Sequence, residues 1–520
     1  MAWLVAAALM SACSQQTTDG PVATDANVAK SEAALAINWQ YGQVSEALTR
    51  ARDQDKPVLL YWGAQWCPPC MQLKSTVFKQ PDFIRKTRQF IAVYLDGDSE
   101  GAQRWGDHFA IVGYPTLIVL RSDGTELTRI SSGMDLAAYP RVLDSATRQT
   151  RAASELLTAA LSDPAQLRDD DWTLLAYYGW FQDQGRALGD RALQPVLEQL
   201  ANAAPKPVLA KRFQLLARIA AVSQGEGALP ESARAATAEM VASMLSDKAQ
   251  LRAAIDELNY YSVPLLMAAT EAGSPARQSL AQQLETAMKA ASADGQLSIK
   301  DRLYAVRTRI ELHKALHDVD ADEVPDTLKA DAREIVAWAQ QSASTPAERQ
   351  AMANYARYTL ESAGLNRDAE QLLLAEIERS ENPYYFMPAL ADYAQARGEI
   401  DQALAWLERA YRESTGPATR AQWGYGYLMG LLEMVPERTE QVEAVALEIV
   451  GELRQHPSAY YQRTRMRFER LDAALQAWAK QQEAAASLGK ISKAMQAVCV
   501  QLPDTSETRN SCDALFAANT

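Results

Sequence analysis

The stretch Trp66-Cys67-Pro68-Pro69-Cys70 decides how this chain reads. An apolar, strand-like segment, Val58-Leu59-Leu60-Tyr61-Trp62, runs ahead of it, and Gly113-Tyr114-Pro115-Thr116 follows further along. Two cysteines separated by two residues can close a small disulfide and reopen it. Where a strand ends and a helix begins, the first sulfur lies near unpaired backbone N–H groups and the positive end of the helix dipole. Both favour the thiolate, the reactive form of cysteine. Cys67 is therefore the expected attacking nucleophile, and Cys70, one turn inside the helix, the expected resolving thiol. Pro68 and Pro69 remove two backbone donors near the sulfurs and stiffen the turn. The alternatives are a static disulfide or a metal site, and neither accounts for the Tyr114-Pro115 element.

The bulk composition bounds the rest. The 520 residues suffice for two to four domains, and 48% apolar with 22% charged residues describes a globular chain. With 52 basic against 65 acidic residues the net charge is -13, which argues against a nucleic-acid role. No internal run approaches the ~18 apolar residues that span a bilayer. No cofactor and no metal is implied. His313 and His317 are four apart on one helical face, but no third ligand is evident.

The N-terminus, residues 1–13, reads as a targeting signal: Ala2 to Met10 is a short apolar run, followed by small residues before Cys13. Met10-Ser11-Ala12-Cys13 resembles the lipobox of bacterial lipoproteins, which implies lipidation of Cys13 and a periplasmic protein anchored to a membrane. Ser14 after the cysteine implies the outer one. An ordinary cleaved signal peptide is the other reading. Residues 14–35, rich in Gln, Thr, Asp, Ala and Ser, read as a flexible tether. Of the five cysteines, Cys499 and Cys512 remain as a second local pair, flanking a polar loop from Leu502 to Ser511. They are expected to form a structural disulfide in an oxidising compartment; two free thiols in buried helices are the alternative.

Residues 36–150 alternate strand and helix signals. Helices are expected at Val44–Ala51, from the cysteine pair toward Phe78 with Pro81 as an interruption, at Gly101–Phe109 and at Asp135–Thr147. Strands are expected at Pro57–Trp62, Phe90–Leu95, Thr116–Leu120 and Glu126–Ile130, the last two joined by the turn Ser122-Asp123-Gly124. The strand before Trp66, the cysteine pair, the Tyr114-Pro115-Thr116 step, the hairpin and Gly133 stand in the order that resembles the thioredoxin fold. Trp39 and Lys56-Pro57-Val58-Leu59-Leu60 resemble the branch that contains the periplasmic domain of the DsbD reductase.

From 151 to 482 the apolar spacing becomes helical, for example at Trp172–Phe181, Pro207–Val222, Ala233–Leu245 and Ser298–Leu316. Gly364 and Gly398, Ala369 and Ala403, and Pro383 and Pro417 are each 34 apart. This period resembles tetratricopeptide repeats. An all-α helical-repeat domain is therefore expected to follow the α/β domain, with residues 483–520 forming a C-terminal helix and tail.

The thioredoxin resemblance assigns roles. It makes Cys67 the exposed member of the pair, Pro115 the cis-proline facing the sulfurs, and Trp66, Tyr114 and Thr116 the flank of a substrate groove. Many thioredoxins carry a buried acid six residues before the first cysteine. Tyr61 stands there in this chain, no other carboxylate is clearly placed to replace it, Glu100 and Asp107 are candidates that nothing excludes, and Met71 stands where a basic residue often follows. The resemblance implies a thiol–disulfide oxidoreductase, more a protein-disulfide reductase than an oxidase or isomerase. It would act on client proteins or peptides with disulfides and be recharged by a membrane electron donor of DsbD type. The competing reading is a helical-repeat binding protein whose redox domain is regulatory or vestigial.

Overall fold

The computed structural model describes residues 36–130, 138–223, 229–502 and 507–516. The expected lipidation site Cys13, the tether and Gly133 lie outside them. Residues Ile37–Thr520 form one compact unit. Among the described residues no helix is long and apolar enough to cross a membrane.

The N-terminal part is a five-stranded mixed sheet. Its strands are β1 (Gln40–Tyr41), β2 (Val58–Gly63), β3 (Ile91–Asp96), β4 (Thr116–Leu120) and β5 (Glu126–Ile130), in the spatial order β1-β3-β2-β4-β5. β3 runs parallel to β1 and β2, while β4 is antiparallel to both β2 and β5. The helices are α1 (Val44–Gln54), α2 (Pro68–Ser75), α3 (Pro81–Thr87), α4 (Glu100–His108) and α5 (Ala138–Thr147). β2 is buried along its whole length, as its unbroken apolar run requires of a strand covered on both faces. Val58, Leu60 and Trp62 pack under α1 and α4, whereas Leu59 and Tyr61 face the opposite side. That alternation follows from the two-residue period of a strand.

Local chemistry explains where the expectations needed correction. Pro81 does not merely interrupt a helix: it opens α3 at the first helical position, where its missing N–H costs nothing. The short strand β1 carries too few residues to show any alternation. The helix expected at Trp172–Phe181 is instead Asp169–Ala176 followed by a 3-10 turn at Trp180–Gln182. Its Asp171 carboxylate caps the Arg168 N–H and pairs with Arg151.

The described residues beyond α5 are mostly helical. Gly364 and Gly398, at φ +71° and +77°, join the helix pairs Pro346–Ser362 with Asn366–Ile377 and Met387–Ala396 with Ile400–Glu413. Ala369 and Ala403 are fully buried between them. The polar segment after Leu502 is not wholly a loop, because Cys512 lies in a helix, Glu507–Ala514. Cys499 and Cys512 are joined in a disulfide with Cα atoms 5.5 Å apart. Replacing both with serine is expected to lower stability by about 3 kcal/mol, the loop-closure value for a span of this length; thermal or urea unfolding checks it.

The helical region does not hang off the sheet on a linker. The sheet face carrying Leu59, Tyr61, Val119 and Ile130 shares one apolar core with Leu156, Trp172, Leu197 and Phe213. Edge strand β5 is continued by the helical region: Ile130 bridges Tyr178, and the Gly179 N–H donates to the Arg129 carbonyl at 2.8 Å. One end of an otherwise open sheet edge is thereby covered.

Candidate functional site

Cys67 is the N-cap of α2, with extended backbone, and Pro68 and Pro69 occupy the first helical positions. First-turn N–H groups have no intrahelical acceptor, so two prolines are tolerated there. They leave the Cys70 N–H as the first available donor of the helix, and it points at Cys67 Sγ, 3.3 Å away. The two sulfurs are bonded to each other. When the bond is reduced, this donor and the helix terminus both favour a thiolate at Cys67.

The Tyr114–Pro115 peptide is cis. Thr116 Oγ1 donates to the Gly113 carbonyl at 2.8 Å, folding the loop back on itself. Tyr114 packs against the cluster that holds Trp66, Cys67, Cys70 and Met71, its ring 6.4 Å from that of Trp66. Two elements distant in sequence therefore meet at the pair, because antiparallel pairing of β4 with β2 sets Thr116 opposite Trp62.

Tyr61 lies fully buried, stacked on Tyr94 with ring centroids 5.2 Å apart. Burial, then the Asp96 charge, pushes its hydroxyl well above the ordinary range, so it is not an acid substitute at neutral pH. Of the carboxylates considered from sequence, Asp107 is engaged elsewhere, pairing with Arg465 at 3.3 Å. The carboxylates the fold brings to this end of the sheet are Asp96 and Asp98. Asp96 ends β3 opposite Gly63 and accepts from Tyr94 Oη at 3.0 Å. The cation absent at Met71 is found one turn further on: Lys74 Nζ sits 5.2 Å from the Tyr94 ring centroid, its pKa lowered by burial against the pull of Asp96.

One expectation fails. Cys67 is not exposed: its relative accessibility is 3%, that of Trp66 is 8% and that of Cys70 is 0%. The helical region covers the pair. Helix Pro346–Ser362 lies along α2, and Gln350 Nε2 donates to the Trp66 carbonyl at 3.1 Å. Tyr385 stacks on Trp66 at 5.9 Å and Trp423 meets it edge-on at 6.1 Å. The Trp66 Nε1–H donates to Thr419 Oγ1 at 2.9 Å. Arg463 lies over both the Tyr114 and Trp66 rings, at 4.4 and 5.8 Å. Beside it Arg467 donates to Gln422 and to the Arg463 carbonyl, its pKa pushed down to about 10 by burial and then by Arg463. Sequence reasoning missed these residues. The only trace is the aromatic run Tyr384-Tyr385-Phe386, which local periodicity cannot aim at a partner more than 300 positions away.

On the other side of α2 a cavity of about 920 Å³ opens between Pro69, Gln72 and Thr76 and the tyrosines Tyr260, Tyr304 and Tyr355. Lys300 and Asp256 pair within it.

Residues 44–147 match the family described as thioredoxin-like domain. The chain is similar to the thiol:disulfide interchange protein DsbD of Klebsiella pneumoniae, 28% identical over 142 residues that cover 26% of this chain and 23% of that protein. It is also similar to the disulfide bond reductase DsbH of Chlamydia pneumoniae, 21% identical over 123 residues covering 21% of this chain and 72% of the relative. The thiol:disulfide interchange protein DsbD 1 of Pseudomonas aeruginosa is 31% identical over 112 residues, 21% of this chain and 19% of that protein. The chain thus spans about a fifth of the length of the DsbD relatives it matches.

Proposed function

We propose that this protein, whose thioredoxin-like domain and cysteine pair support a thiol–disulfide oxidoreductase, is a periplasmic, lipid-anchored reductase of protein disulfides. The observation that carries the reading is Cys67 at the start of α2, with the Cys70 N–H aimed at its sulfur. The Cys67 thiolate attacks one sulfur of a client disulfide, breaking that S–S bond and expelling one client thiolate. Cys70, as thiolate, then attacks Cys67 Sγ in the mixed disulfide and releases the second client thiolate. Two electrons pass to the client, which takes up two protons, and the Cys67–Cys70 disulfide remains. A dithiol donor, of the DsbD type in this reading, must return the two electrons. Trp66, Tyr114, Pro115 and Thr116 would line the client groove, and the helical region, read as tetratricopeptide-like, would select or position the client.

The reduction potential of the Cys67–Cys70 pair tests direction, measured with Cys499 and Cys512 replaced and Cys13 removed. A reductase predicts a value near that of thioredoxin, about -270 mV, whereas a value near that of DsbA, about -120 mV, would make the protein an oxidant.

The burial of Cys67 favours a second reading, in which the helical region is the binding protein and the redox domain sets its conformation. In that case Cys67→Ser loses thiol exchange but keeps partner binding, and if the redox domain is vestigial the cellular phenotype is untouched as well.

A further inference from the structure

Building on the oxidoreductase reading, we infer that the helical region is a built-in cap over the redox pair, latched by Asp98, Thr419 and Trp66, and that a protein client reaches Cys67 only when this latch opens. A nucleophile with 3% of its surface accessible cannot meet a disulfide held in a folded protein. Attack requires the two sulfurs to approach in line, and the client's own backbone must come with its disulfide. Trp66 and Tyr114, the residues that would meet a client, already hold Tyr385, Trp423 and Arg463 in its place.

The latch is polar and runs in one direction. The Trp66 Nε1–H donates to Thr419 Oγ1, and that hydroxyl in turn donates to Asp98 Oδ2 at 2.6 Å. The Thr419 N–H donates to Asp98 Oδ1 at 2.7 Å. Thr419 lies in the first turn of helix Pro417–Met434, whose N-cap, Gly416, has no side chain to offer. Asp98 therefore caps, from the thioredoxin-like domain, a helix of the covering region. First-turn N–H groups and the positive helix end favour a carboxylate there, while burial pushes the Asp98 carboxyl up, against its hydrogen bonds to Thr419. The seat demands a glycine: at Gly416, φ is +91°, and an added Cβ would come within 2.2 Å of the Asp98 carboxyl carbon.

The cap is also divided in a way that permits movement. Helix Pro346–Ser362 grips α2 through the apolar core that contains Cys67 and Cys70. Helices Pro417–Met434 and Gln462–Gln481, which cover the Trp66 and Tyr114 side, pack mainly into a second apolar core with Leu428, Ile449 and Phe468, which meets the first through Trp423. The polar groups they bring to the rim are Thr419, Gln422, Arg463, Thr464 and Arg467, beside the Trp423 ring. The seam between the two cores carries these polar groups together with Trp423, which packs against both, so parting it bares chiefly that indole and the Trp66 ring.

The test compares the rates at which the reduced full-length protein transfers electrons to insulin, a folded protein disulfide, and to oxidised glutathione, a small one. Thr419→Val removes both hydroxyl bonds at nearly constant shape, and Gly416→Ala displaces the Asp98 carboxylate. Each is expected to raise the insulin rate about tenfold, the scale of a lost charge-assisted hydrogen bond, and the glutathione rate less. Thr419→Ser, which keeps the hydroxyl, is expected to behave as wild type. Unchanged or slower insulin reduction in both Thr419→Val and Gly416→Ala, with Cys67→Ser still inactive, overturns the cap and leaves the oxidoreductase standing. No exchange with either disulfide by any of these proteins overturns the oxidoreductase reading itself, and the cap with it.

Discussion

Cys67→Ser is expected to reduce thiol–disulfide exchange by about a thousandfold or more, because a serine hydroxyl is a poor nucleophile at neutral pH where a thiolate is a strong one. Among the described residues near the pair, none can substitute. Cys70 is wholly buried behind Cys67, and the hydroxyl of Tyr61 is held far above neutral pKa by burial. Cys70→Ser should behave differently. Attack by Cys67 remains possible, but the mixed disulfide cannot resolve internally, so a covalent adduct with the client should accumulate and be visible on a non-reducing gel. Loss of exchange in Cys67→Ser together with a trapped adduct in Cys70→Ser assigns attack and resolution to the two sulfurs. An adduct on Cys67→Ser instead would reverse the roles. The same variant separates the two functional readings, since a purely scaffolding protein keeps its phenotype without Cys67.

The second large effect is expected at Arg129→Ala, which should cost about 3–5 kcal/mol of stability, because two carbonyls lose a charged donor at about 1–3 kcal/mol each and a buried ion pair is weakened. The Arg129 side chain is 1% exposed and pairs with Glu126, itself 8% exposed, at 3.1 Å. Its Nη2 donates to the Phe109 carbonyl at 2.7 Å and its Nη1 to the Gln182 carbonyl at 3.0 Å. One guanidinium thus ties β5 both to the loop after α4 and to the helical region. Truncation leaves Glu126 with Arg186 as its remaining ion-pair partner and two carbonyls without this donor. Urea unfolding should show the midpoint fall with the slope unchanged, because the sheet and the first helices share one core. A shift below about 1 kcal/mol would mean the pair is replaced by water. Two separate transitions, only one of them moved, would mean that sheet and helices unfold independently.

Much of the redox element was legible locally. The cysteine spacing, the apolar run of β2, the hairpin turn and the proline after Tyr114 each depend on residues within one strand or one turn. Periodicity and turn chemistry report on those. The two hairpin strands fall at the expected residues, and Gly364 and Gly398 sit at the expected turns. The exposure of Cys67 was not legible, because burial of a side chain depends on what packs over it. Gln350, Thr419 and Arg463 come from three different helices and Tyr385 from a 3-10 turn, and apart from the aromatic run at Tyr385 nothing in their own neighbourhoods distinguishes them from ordinary surface residues. Asp98 was equally silent. It sits just after a strand in the sequence, and only the approach of Gly416 and Thr419 makes it a helix cap.

The amino-acid sequence by itself settled the chemistry and the local conformation: a disulfide-forming pair at a strand-to-helix junction, in an α/β unit followed by helices. Tertiary packing settled access. Bond-forming capacity resides in two side chains and the turn that joins them, so it travels with the local sequence. Whether those sulfurs can meet a client depends on contacts between residues separated by some 350 positions, whose free energy exists only once both parts have folded against each other.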